Sequence, residues 1–166
     1  MNKQEEVTTF DFGDGYVRAH RHKNPDGSIG GWVADTATVA DTAYIGENAS
    51  VFGDAGVYGH AKVEGNAVVA DDAQVFGNAL VADTAEVSDN AHVYGNALVS
   101  GDTWVFGNAH VYGNALVYGN ALVSGDAEVS GDAWVYGNAQ VAGDAQVSGY
   151  AQVYGNTKLS SGTHKE

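Results

Sequence analysis

The chain has 166 residues and sets 21 Asp and Glu against 7 Lys and Arg, a net charge of −14. That balance disfavours direct contact with nucleic-acid backbones or anionic membranes. No cysteine is present, which excludes disulfides, thiolate metal sites and a cysteine nucleophile, and no apolar run is long enough to predict a spanning helix.

The start, MNKQEEVTTF, has neither a basic n-region nor an apolar h-region. That points away from export and towards a cytoplasmic location, in a bacterial or phage-infected cell. Two turn signals follow, Gly13-Asp14-Gly15 and Asn24-Pro25-Asp26-Gly27. Strand-like runs near Val7–Phe10, Tyr16–His22 and Ser28–Trp32 flank them, so residues 1–32 are expected to form a β-hairpin cap over an open sheet edge. Within it, strand alternation places Arg18, His20 and His22 on one side, with Arg21 and Lys23 close by. These residues are candidates for an anion contact; a solvated hairpin is the simpler reading.

From Val33 to Lys158 the chain divides into 21 hexads without an insertion or deletion. The first position is Val in all but one, Ile45, and the fifth is Ala or Thr throughout. Ala-x-Val-x is a short strand whose Ala and Val face inward and whose x positions face outward. The third and fourth positions, usually Gly-Asn, Gly-Asp or Asp-Thr, are the corners, because those residues tolerate positive φ. Outward residues match best at a separation of 18. Leu80, Leu98 and Leu116 agree at that spacing, as do His92 and His110, and so do Tyr58, Phe76, Tyr94 and Tyr112. Three hexads therefore make one coil. The expected fold is all-β: a triangular parallel β-helix of about seven coils, about 34 Å tall at the spacing of paired strands. Residues 159–166 read as a polar, loose tail.

VYGNAL, VSGDAE and IGENAS resemble the hexapeptide repeat of left-handed parallel β-helix proteins. Left-handedness follows from that resemblance alone, because the general crossover rule favours the opposite hand. The segment AHRHKNPDGSIGGWVADTATV also looks like the lead-in of hexapeptide solenoids in phage and bacterial genomes. The resemblance implies oligomers, commonly trimers, and acyltransferase activity built on a His base between subunits. His60, which replaces Asn or Asp at a corner, would be that base here. The histidine spacing does not match that of the γ-class carbonic anhydrases, which share the fold.

The outward positions sort into three unequal faces. One carries Leu80, Leu98, Leu116 and Trp134 beside Tyr118, Tyr136 and Tyr154, and is expected to be an oligomer interface. A second carries Tyr58, Phe76, Tyr94 and Tyr112 beside His92 and His110. It is a candidate ligand or partner face, where rings would stack planar groups such as nucleobases; coil-to-coil stabilisation is the simpler reading, and a second wall of the oligomer interface is the third. The third is mostly small or polar, interrupted by Trp104, Phe106 and Leu122.

Gln74, His92, His110 and Glu128 share a column, but two histidines alone do not make a metal site, and no metal or cofactor is expected. Fifteen Asp or Glu lie between Val33 and Lys158, which keeps DNA mimicry open beside plain corner chemistry. Only Thr38 occupies an outward strand position between Val33 and Trp134, too few for an ice-binding row. Hexads without excursions leave no loop for a catalytic pocket. The expectation is therefore a non-catalytic, oligomeric binding or assembly protein. An inhibitor that blocks or sequesters a host protein or nucleotide ligand is one form of it, and a virion component is another.

Overall fold

A computed structural model describes residues 8–166; Val7, where the first expected strand begins, lies outside them. The fold is a parallel β-solenoid with three sheets running its length. Strands β1 (Thr9–Asp11), β2 (Tyr16–Lys23), β3 (Ile29–Ala34), β4 (Thr38–Val39), β5 (Tyr44–Ile45) and β6 (Ser50–Val51) open it, and paired strands, mostly two residues long, continue it. β3 and β6 head the first sheet, β4 the second and β5 the third.

Register follows the sequence. Leu98 pairs with Leu80 on one side and Leu116 on the other, and His92 pairs with His110. First-position Val and fifth-position Ala fill the lumen, most of them fully buried. Among the described residues nothing larger than Ile45 is fully buried, so β-branched Val supplies the wall and Ala the space that three converging sheets require.

The corners work as expected, with an exception. From Gly53 to Gly155 the third-position glycines have φ between 57° and 81°. Asp71, Asp83 and Asp89 hold the same conformation at φ 58°, 61° and 55°, and their carboxylates accept the N–H of the residue one coil on, Asp89, Gly101 and Gly107. The local hydrogen bond offsets the cost of a left-handed non-glycine residue. In the first coil no corner residue is left-handed. There the Thr36 and Thr42 hydroxyls donate to the carbonyls of Gly53 and Gly59, the role the fourth-position N–H plays in most later coils.

The cap differs from a lid. β1 pairs antiparallel with β2, and β2 with β3, so the first sheet simply gains two strands. The second turn of the cap protects a different sheet. Asn24 Oδ1 accepts the Ile45 N–H at 2.8 Å, Asn24 Nδ2 donates to the Ile45 carbonyl at 3.0 Å, and His22 Nε2 donates to the Ala43 carbonyl at 3.1 Å. Two side chains thus occupy the edge of β5 as another strand would. A Cβ on Gly31 would sit 1.9 Å from the Ala49 carbonyl oxygen, so glycine is obligatory where the cap crosses the first coil.

The expectation of a loose tail is corrected. Thr163–Lys165 forms a final strand against Gln146–Ser148, in a register of 17 rather than 18. Backbone pairing, which ignores side-chain polarity, carries the ladder through Ser160-Ser161-Gly162.

Candidate functional site

The third sheet presents Leu80, Leu98, Leu116 and Trp134 as vertical neighbours. The leucines are half-buried by one another, while Trp134 is 40 % exposed. Beside them Tyr118 and Tyr136 stack at 5.1 Å and Tyr136 and Tyr154 at 5.5 Å. Tyr154 remains 57 % exposed. At the leucine rungs the neighbouring column is small, Ala82 and Ser100, so a hollow adjoins Leu80 and Leu98 while the tyrosines stand proud further along. Lys62 ends the apolar strip towards the N-terminus.

The second sheet gathers the other aromatic column, with one member lost. Phe76, Tyr94 and Tyr112 stack at 4.8 and 4.9 Å with planes only 2° apart. Tyr58 does not continue this stack; its ring folds over Gly56, where an added Cβ would lie 2.3 Å from Tyr58 Cε2. Glycine at 56 leaves the space that the ring fills. His92 and His110 lie 4.8 Å apart, and each meets the aromatic column edge-on, His92 against Phe76 and His110 against Tyr94. Burial, and then the neighbouring His110, lower the pKa of His92. Burial, followed by the charges of Tyr112 and Glu128, raises that of Tyr94. Tyr112 Oη donates to Glu128 at 3.3 Å.

This geometry revises how the face can bind. Both faces of Tyr94 are covered, by Phe76 and Tyr112, so planar ligands cannot stack on it. The column offers ring edges and hydroxyls instead, with no further ring stacked on the outer faces of its two end members, Phe76 and Tyr112. Among the described residues no group of three or more His, Cys, Asp or Glu gathers to hold a metal ion.

The cap residues do not converge on one anion. His20 pairs with Asp35 at 3.0 Å, Arg21 Nε donates to the Gly30 carbonyl at 2.7 Å and its guanidinium lies over Trp32, and His22 is buried against Ala43. A register shift between Arg21 and Lys23 takes His22 out of the row it was expected to share with Arg18 and His20. Arg18 lines a cleft of about 510 Å³ with Phe12, Val17, Ala34 and Phe52. The Phe12–Phe52 stack at 4.9 Å forms the cleft wall, a contact the sequence did not flag. His60 is exposed at its corner.

About half of the corner carboxylates accept hydrogen bonds from the chain itself. Besides Asp71, Asp83 and Asp89, Asp126 and Asp132 accept from Asn108 and Asn114 at 2.8 and 2.9 Å, and Asp102 accepts from Thr84. Asn78, Asn96 and Asn114 form a continuous amide ladder at 3.2 and 3.1 Å. Corner chemistry accounts for these acids without a ligand.

Residues 91–107 and 109–125 match the family model described as YdcK Beta solenoid repeat. No curated protein matches the chain. The chain is a β-solenoid repeat protein, and the matched stretch holds the centre of both aromatic faces.

Proposed function

We propose that the protein is a non-catalytic binding scaffold that self-associates through the leucine–tryptophan face and holds the Phe76–Tyr94–Tyr112 face out for a protein partner. The observation that carries this reading is the unbroken apolar column from Leu80 to Trp134 on a flat sheet, a patch of the kind monomers rarely leave in water. Paired coils without an excursion between them supply a rigid surface and no loop to close over a substrate. A net charge of −14 favours a basic protein over an anionic nucleotide as the partner. A phage-encoded blocker of a host nucleic-acid enzyme is one setting for such a scaffold, because those enzymes expose basic surfaces.

The test is sedimentation equilibrium on the whole chain and on Leu98→Glu. Leu98 points outward, so the variant keeps its β circular dichroism. Wild type is expected to gain mass with concentration and the variant to stay monomeric. A wild-type monomer at every concentration refutes self-association. Turnover of acetyl-coenzyme A that disappears in a folded His60→Ala variant would refute the non-catalytic reading in favour of an acyltransferase.

A further inference from the structure

The third sheet is complementary to itself upside down, and from that we infer that two copies pair antiparallel through it, about a two-fold axis at the Leu98 rung. This rests on the self-association proposed above and adds its geometry. Strand pairing fixes the vertical order Tyr44, Lys62, Leu80, Leu98, Leu116, Trp134, Gln152. Inverting that column about Leu98 sets Leu80 against Leu116, and Lys62 against Trp134. The second pair places an ammonium on an exposed indole.

The neighbouring column obeys the same operation. In order it reads Gly46, Glu64, Ala82, Ser100, Tyr118, Tyr136, Tyr154. Inverted about Ser100, each tyrosine meets a smaller side chain: Tyr118 meets Ala82, Tyr136 meets Glu64, and Tyr154 meets Gly46. The rings that stand proud on one copy fill the hollow beside Leu80 on the other. The Tyr136 hydroxyl, whose contact with Gln152 is long at 3.4 Å, gains the Glu64 carboxylate as a charged acceptor.

A two-fold axis along the solenoid sets the two columns against each other at equal height. Lys62 then meets Glu64, and Leu80 and Leu98 meet Ala82 and Ser100, but Leu116 and Trp134 meet Tyr118 and Tyr136, so bulk collides at one end where the inverted arrangement spreads it along the face. A three-fold ring must instead join this face to a different one; the first sheet carries Ser124, Ala142 and Ser160 level with Tyr118, Tyr136 and Tyr154, so a parallel ring is the competing arrangement that the labels below distinguish. The antiparallel contact uses one patch twice, as closed two-fold interfaces do. A face about 34 Å tall and one short strand wide buries on the order of 1,000 Å² in total, the lower end of specific interfaces. The dimer is therefore expected to be micromolar and to dissociate on dilution.

The absence of native cysteine makes the test direct. Glu47→Cys and Asn156→Cys place nitroxide labels on exposed corner residues at opposite ends of one edge. Antiparallel pairing puts Glu47 of one copy level with Asn156 of the other, while like labels are offset by six coils, about 29 Å along the axis. A mixture of the two labelled proteins should then give the shorter electron–electron distance. A shorter distance in the Glu47→Cys sample alone overturns the antiparallel arrangement while leaving self-association intact. Failure of wild type to associate removes both readings.

A second arm uses affinity. Ala82→Glu and Tyr118→Lys should each weaken the dimer at least tenfold, and the double variant should recover to within about threefold of wild type, as paired neighbours do. No recovery in the double variant, with both singles folded, counts against this register.

Discussion

Replacing Asn24 by Ala tests whether one side chain substitutes for a strand. Asn24 is 3 % exposed and serves both the N–H and the carbonyl of Ile45, at 2.8 and 3.0 Å. Each lost hydrogen bond costs about 1 kcal/mol, and each buried group left without a partner costs roughly 1–3 kcal/mol, reduced where water reaches the new space. The expected penalty is about 2–4 kcal/mol. Because each coil of a solenoid rests on its neighbours alone, the loss should concentrate in the first coil. Native-state hydrogen exchange reads this residue by residue. The Ile45 amide should exchange roughly 30- to 700-fold faster at 1.4 kcal/mol per decade, while the Val99 amide, mid-prism, should not change. Asn24→Asp should behave almost as badly, because a carboxylate accepts from the Ile45 N–H but faces the Ile45 carbonyl with a second oxygen. Unchanged exchange at Ile45 in Asn24→Ala would refute the reasoning; so would an equal acceleration at Val99, which would mean that the coils unfold as one.

Two further outcomes follow from the faces and corners. The pKa of His92 is lower folded than unfolded, so no stability is lost through it above the ordinary histidine value of about 6.5, and stability falls as pH drops from there through its lower folded value; denaturant titrations at several pH values should show a flatter acid limb for His92→Gln, and identical limbs would exclude this assignment. At Asp83, with φ 61° and a carboxylate that accepts from Gly101, Asp83→Ala should cost about 2 kcal/mol by adding backbone strain to a lost hydrogen bond, and Asp83→Gly about 1 kcal/mol. Equal penalties for the two variants would mean that φ contributes nothing.

The ladder of histidines and tyrosines shows where reading letters stops. Spacing placed Phe76, Tyr94 and Tyr112 in one column, because identical coils must rest on one another. Spacing did not show that Tyr58 would turn away onto Gly56, nor that the remaining rings would cover each other's faces. Both facts depend on the room beside each side chain. The cap is a similar case: alternation aligned Arg18, His20 and His22, and a register shift between Arg21 and Lys23 took His22 out of that row and into a buried contact with Ala43.

Periodicity alone determined the coil length, the inward Val and Ala, the corner positions and the vertical order of every outward residue, because a solenoid translates sequence separation directly into height. Tertiary structure alone decided which edges are sealed, how the tail pairs, and which rings and carboxylates remain free. Those outcomes turn on contacts between segments outside the repeat, or on rotations about side-chain bonds, and neither has a period to read.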